Sequence, residues 1–209
     1  MAIPREGEGW FGHARGLLER HHPPRARCTT LNAMPLIRCA TDHDGDGLGA
    51  LIAACFAEYP GCVFDRAAEF AELDAIATHF EQLRGALWVA EQGGAIVGSL
   101  GVRPLPSAAV ELLKVYVGEP WRGSGLAGRL LEHAVAFACA RDAAVLELWS
   151  DTRFLRGHRF YEKHGFRRTG ESRRLADLSD TVEARFVRPL SGSRGVLKLS
   201  PRGATAPRA

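Results

Sequence analysis

Residues Arg122-Gly123-Ser124-Gly125-Leu126-Ala127 place a guanidinium, a hydroxyl and two glycines directly before an apolar-periodic run at Leu126, Leu130, Leu131, Ala134, Val135 and Ala138. Upstream lie a β-type run over 110–117 and the turn Gly118-Glu119-Pro120-Trp121. A strand that feeds a glycine-rich turn at a helix N-terminus leaves main-chain N–H groups without intrahelical acceptors. Those donors and the helix macrodipole together attract an anion. Gly123 and Gly125 carry no Cβ, so a phosphate can approach the main chain, while Ser124 can add a hydroxyl and Arg122 a forked cation. The segment is not a Walker loop, which ends in Gly-Lys-Ser/Thr, and it fails the dinucleotide fingerprint at the first glycine. A glycine-rich β-to-α turn with no ligand would use the same residues.

Other groupings of reactive side chains carry less. Asp42, Asp44, Asp46 and Gly47 open like a calcium loop, but the position that should supply a bidentate Glu is Ala53, so a helix-capping acidic turn is expected. The eight histidines show no HxxxH or HExxH spacing, and the five cysteines (Cys28, Cys39, Cys55, Cys62, Cys139) include no CxxC pair. No metal site or disulfide framework is expected, and reduced thiols fit a cytoplasmic protein. The N-terminus has no apolar core of a secretory signal, and no apolar run approaches the roughly 18 residues of a membrane span.

The phosphate segment resembles the pyrophosphate loop of the GCN5-related N-acetyltransferase (GNAT) superfamily, whose form is Arg/Gln-x-x-Gly-x-Gly/Ala. A second stretch, Phe160-Tyr161-Glu162-Lys163-His164-Gly165-Phe166, is similar to that family's helix-end Tyr-Glu-x-x-Gly-Phe element, and the resemblance spans 36–190. It implies an acyl-CoA-dependent N-acyltransferase in which an amine attacks the thioester of acetyl-CoA directly, with no metal. It also implies that Arg122, Gly123, Ser124, Gly125, Leu126 and Ala127 hold the pyrophosphate. The main chain of Val115 and Val117 would bond the pantetheine arm as a pseudo-strand, with the Val115 N–H as oxyanion donor.

Tyr161 stands at the family's Tyr position and is the candidate general acid for the leaving thiolate. A phenol's ordinary pKa of about 10 lies above a thiol's of about 8.5, so the transfer depends on local tuning; a core Tyr packed below the cofactor is the plainer alternative. Glu111 is the candidate base, since some members place a carboxylate four residues before the first pantetheine contact, and Glu147 competes with it. Strand alternation puts residues 111, 113, 115 and 117 on one face. Many members carry an Asn seven residues before the Tyr; here Phe154 stands there, so either Thr152 or Arg153 substitutes or the contact is missing. For the acceptor, the family's first two helices and their connection point to the loop 58–65 with Tyr59, and the end of the strand over 145–149 adds Ser150 and Asp151. Asp151 could hold an ammonium or cap the next turn. A non-catalytic acyl-CoA sensor of the same fold is the alternative function.

The elements that must position these groups alternate along the chain. Strands are expected over 36–40, 86–91, 95–103, 110–117, 145–149 and 183–187, with one more around 166–171, and Gln92-Gly93-Gly94 signals a hairpin. Helices are expected over 48–58, 70–83, 126–141 and 156–164 from apolar residues at helical spacing. That order predicts an α/β (α+β) fold, a mixed central sheet flanked by about four helices. Residues 1–34 and 191–209 lack sustained apolar period and are expected to be disordered, apart from a short helix over 10–18, and translation starting at Met34 would leave residues 1–33 out altogether. Residues 1–34 carry five Arg and three Glu, and residues 191–209 carry three Arg and one Lys with no acid. That leaves 18 basic and 21 acidic residues in 35–190, a net of −3. The domain has no basic face for nucleic acid, so neither nucleic acid nor a membrane is an expected partner. A small-molecule or peptide amine is the expected substrate, and an exposed edge strand or the 59–65 loop could pair two copies as a homodimer.

Overall fold

The computed structural model describes residues 34–190. The two tails, the short helix over 10–18 and the question of a start at Met34 lie outside the described residues.

Seven strands form one mixed sheet in the order β1-β2-β3-β4-β5-β7-β6. They are β1 (Leu36–Cys39), β2 (Ala86–Gln92), β3 (Ala95–Leu105), β4 (Ala109–Val117), β5 (Val145–Asp151), β6 (Arg167–Arg174) and β7 (Val182–Pro189). The helices are α1 (Gly45–Phe56), α2 (Arg66–Glu69), α3 (Ile76–Gln82), α4 (Leu126–Cys139) and α5 (Leu155–Lys163). Every strand pairing is antiparallel except β4 with β5, which is parallel. The α4 connection supplies the crossover that a parallel pair requires.

Each face of the sheet has its own core. Leu126, Leu130, Leu131, Ala134 and Ala138 of α4 pack on Leu100, Val102, Val110, Leu112, Leu146 and Leu148, with Tyr161 and Phe166 completing the cluster. On the other face Leu48, Leu51, Ile52 and Cys55 of α1 meet Leu73, Ile76, Phe80 and Leu87. The α4 stripe is the one read from the sequence, because its i, i+4, i+5, i+8 spacing makes a continuous apolar ridge.

The helix expected over 70–83 is broken. Only Ile76–Gln82 is α-helical, preceded by a 3-10 stretch Ala71–Ala75 and the short α2. The apolar residues at 70, 73, 76, 77, 80 and 83 suit either a 3-residue or a 3.6-residue repeat, so their spacing does not decide between them. Most of these side chains still reach the core, with Phe70, Leu73, Ile76 and Phe80 all buried. β6 carries no hydrophobic alternation because all of Arg167–Arg174 is exposed. It runs three residues beyond the expected 166–171 and forms a polar, arginine-rich edge that discourages strand addition.

The acidic turn at 42–46 disperses its carboxylates. Asp42 accepts from Thr78 N (2.9 Å) and Oγ1 (2.7 Å), Asp44 pairs with Arg38 (2.7 Å), and Asp46 pairs with Arg66 (2.5 Å). They point at three different partners, and no group of His, Cys, Asp or Glu among the described residues could hold a metal ion. No described helix is long and apolar enough to cross a membrane.

Candidate active site

The parallel ladder between β4 and β5 is short. It pairs Ala109, Val110 and Glu111 with Val145, Leu146 and Glu147 and goes no further. Beyond Glu111 the two strands part, and a cavity of about 770 Å³ opens between them. Its walls come from 111–117 of β4, 148–151 of β5, the turn before α4, one side of α5, the end of α1 and the β6–β7 connection. The β4 edge facing this gap has no ladder partner, so main-chain groups of Val115 and Val117 are turned to the cavity.

A β-bulge shapes that edge. Lys114 has a φ of +50°, the β3–β4 register slips between Ser99 and Gly101, and the Ser99 hydroxyl donates to the Lys114 carbonyl at 2.7 Å. The extra residue reverses the alternation. Leu113 and Tyr116 pack towards α1 and α3, whereas Val110, Leu112, Val115 and Val117 pack towards α4. The expectation that 111, 113, 115 and 117 share one face is therefore corrected: Glu111 and Leu113 lie opposite Val115 and Val117. Glu111 still lines the cavity, although it is 3 % exposed and bound to Arg103 at 2.6 Å. Glu147 is held by Arg185 at 2.6 Å and does not line the cavity.

At the head of α4, Gly123 and Gly125 adopt φ of +77° and +90°, a region that costs any residue with a Cβ. A Cβ built at either would meet nothing within 4 Å, so backbone conformation and not crowding requires glycine. Arg129 N donates to Gly125 O as the first helical bond. The amides of Gly123, Gly125, Ala127 and Gly128 have no acceptor among the described residues, and all four residues border the cavity. This is a donor set for an anion.

Three side chains of the loop behave differently from expectation. Ser124 turns its hydroxyl inward, donating to Trp121 O at 2.6 Å, and Leu126 is fully buried in the α4 core. Neither lines the cavity; in the free protein both shape the turn. Arg122 sends its guanidinium across the cavity mouth to Glu58, with a two-pronged contact through both terminal nitrogens, and its Nε donates to Val117 O at 3.0 Å. Arg156 joins the same Glu58 carboxylate at 3.1 Å. These hydrogen bonds, the Arg122 pair foremost, hold the Glu58 carboxyl below the usual carboxylate range. A single residue thus ties the end of α1 to the loop and to α5.

Tyr161 lies on the α5 side, 6 % exposed, with its ring centroid 5.8 Å from those of Phe166 and Phe186. Burial pushes its phenol well above the usual range. Tyr116, which sequence reasoning passed over, lines the same cavity, and burial raises its phenol too, with Tyr161 a further cause. The signal that could have found it is its place in Lys114-Val115-Tyr116-Val117, once a bulge is allowed for.

Towards the acceptor end, Tyr59, Ser150 and Asp151 all border the cavity. Asp151 accepts from Arg153 N (2.8 Å) and from the Arg153 guanidinium (2.6 Å). It both caps the turn and forms an ion pair, so its charge is already matched. Arg153 is committed to that pair, and neither it nor Thr152 borders the cavity, so neither substitutes for the missing Asn. Phe154 does border it, its ring 4.7 Å from Tyr59 and 5.9 Å from Phe56. An amide contact has been exchanged for an aromatic wall.

Residues 84–168 match the family model described as acetyltransferase (GNAT) domain. The chain is 35% identical to N-acetyltransferase 8 of Rattus norvegicus over 115 residues, 51% of this chain and 51% of that protein. It thus spans about half the length of these curated relatives. Among solved structures it is similar to a GNAT-family acetyltransferase from Staphylococcus aureus Mu50 (TM-score 0.64, 19% identity, 75% of this chain and 99% of that one). It is also similar to the Salmonella typhimurium structure yncA with its cofactor acetyl-CoA (TM-score 0.61, 19% identity, 78% and 98%). At these identities the structural likeness concerns the fold.

Proposed function

We propose, from the match of residues 84–168 to the GNAT acetyltransferase domain model, that this chain transfers an acetyl group from acetyl-CoA to an amine by direct attack. The observation that carries the reading is the set of unpartnered amides at Gly123, Gly125, Ala127 and Gly128, which open into the same cavity as the free edge of β4. The first fits a pyrophosphate and the second an extended amide-bearing arm.

Acetyl-CoA supplies the acyl group as a thioester. The chain's own residues bind, orient and move protons. The Val115 N–H, on the open edge, donates to the developing oxyanion. Glu111 borders the cavity and takes the amine proton through a water, a route that needs no direct contact. Tyr161 donates its phenolic proton to the departing sulfur; burial keeps that phenol protonated at every ordinary pH. As the amine nitrogen bonds to the carbonyl carbon the C–S bond breaks, one proton leaves the nitrogen and one reaches the sulfur, so the reaction balances without an oxidant or a metal.

A thermal-shift titration with acetyl-CoA, followed by thiol release against an amine panel, tests this. At a hundredfold excess over Kd, binding stabilises by about 2.7 kcal/mol, which for a domain of this size raises Tm by ~5–10 °C. Gly125→Ala forces a left-handed φ on a residue with a Cβ and is expected to weaken CoA binding about tenfold. Stabilisation without turnover on any amine would favour a CoA sensor, a reading to which Phe154 in place of Asn gives some support. No stabilisation at all would overturn both.

A further inference from the structure

Resting on the acetyl-transfer reading, we infer that the acceptor is a small primary amine that carries an aromatic or similarly bulky apolar group and has no carboxylate. Charge is distributed unevenly along the cavity. Beside the α4 loop, Arg159 and Lys163 border it with no ion-pair partner among the described residues. At the opposite end every nearby cation is committed. Lys114 pairs with Glu72 at 2.6 Å and lies over the Phe70 ring at 4.5 Å. Arg153 pairs with Asp151 at 2.6 Å. Arg173 pairs with Glu183 at 2.6 Å and lies over Trp149 at 4.4 Å.

A substrate carboxylate entering there would meet no free guanidinium or ammonium and would lose its hydration uncompensated. Two carboxylates at that end have no ion-pair partner among the described residues. Glu69 accepts from Leu178 N (2.5 Å), and Asp177 accepts from Thr181 N (2.8 Å) and the Thr181 side chain, with the Arg153 charge acting on Asp177 from farther off. They draw an ammonium group in.

Between these charges the wall is aromatic. Phe56 sits at its centre, 6.2 Å from Tyr116, 5.9 Å from Phe154 and 6.0 Å from Phe70, with Tyr59 tilted against Phe154 at 4.7 Å. A ring added to such a cluster gains beyond its buried area. A polyamine brings no ring to that cluster and so forgoes the ring–ring contacts. The Ser179 hydroxyl, bonded to Val63 N (2.8 Å) and Val63 O (3.3 Å), joins the two segments that wall this end and favours a compact ligand.

The test is calorimetric titration of 2-phenylethylamine into CoA-saturated protein, with phenylalanine and spermidine as comparators. 2-Phenylethylamine is expected to bind at least about tenfold more tightly than either. Tyr59→Ala is expected to erase most of that preference, and Tyr59→Phe to keep it, which separates lost aromatic contact from misfolding. Equal or tighter binding of phenylalanine or spermidine, or Tyr59→Ala indistinguishable from the unaltered protein, would overturn the inference while leaving acetyl transfer standing. Failure of the protein to saturate with CoA would instead overturn the reading beneath it, and this inference with it.

Discussion

Tyr161 illustrates how one side chain can belong to a core and to a site at once. Its ring helps to fill the cluster under α4, yet the residue borders the cavity. The desolvation that raises its pKa keeps it protonated but makes it a weaker acid, so donation to sulfur requires that the same dry cavity also raise the proton affinity of the leaving thiolate. If it donates to the leaving thiolate, Tyr161→Phe lowers kcat by about a hundredfold and leaves CoA affinity unchanged, as single-turnover kinetics and direct titration would show. The sign of the pKa shift adds a condition. A phenol raised by burial stays protonated as pH climbs, so kcat should not fall between pH 8 and 10 through loss of this proton. Glu111 makes the opposite point: its type and strand were legible in the sequence, whereas its side of the sheet was not, because one inserted residue at Lys114 inverts every later position.

At the scale of elements, the contact between β1 and the start of α1 shows how loops are fixed here. Asp44, 7 % exposed, receives both terminal nitrogens of Arg38 at 2.7 and 2.8 Å and the Thr41 amide at 2.7 Å. Arg38 first, then the Thr41 hydrogen bonds, hold its carboxyl down at about 2. A lowered carboxylate stabilises the fold above its ordinary pKa of 3.8 and loses that contribution as pH falls towards 2. Asp44→Asn is expected to cost about 2 kcal/mol at neutral pH, measured by urea unfolding, and to flatten the acid limb. Such pairings could not be read in advance, since they join residues through a turn whose path the sequence does not state. Strands β2 to β5, α4 and the glycine loop were legible, because each is announced by local period or by glycine placement. The broken helix at 70–83 and the polar edge strand β6 were obscured for a shared reason: their apolar spacing is either ambiguous or absent, and their form depends on neighbours. In the cavity, the glycine positions were visible in advance, but the turn of Arg122 towards Glu58 depends on where α1 ends in space.

For the molecule as a whole, His158 reports on the junction of β5, α5 and β7. It is buried, its Nε2 lies 3.0 Å from the Asp151 carbonyl, and its ring is 4.9 Å from Phe186. Burial lowers its pKa below the ordinary 6.5. The unfolded chain therefore binds the proton first, so stability is fully present above about pH 6.5 and declines as pH falls below it. Thermal unfolding between pH 7.5 and 5 should show that decline, and His158→Gln should reduce its slope. The three-residue ladder joining β4 to β5 has a related effect on the assembled domain. It makes the sheet two leaves stitched along a very short seam, with the rest of the join left for a guest molecule to complete. In the free protein the Val115 and Val117 amides should exchange with deuterium faster than those of β2, and bound CoA should slow them, so that the ligand serves as the missing rung of its own host.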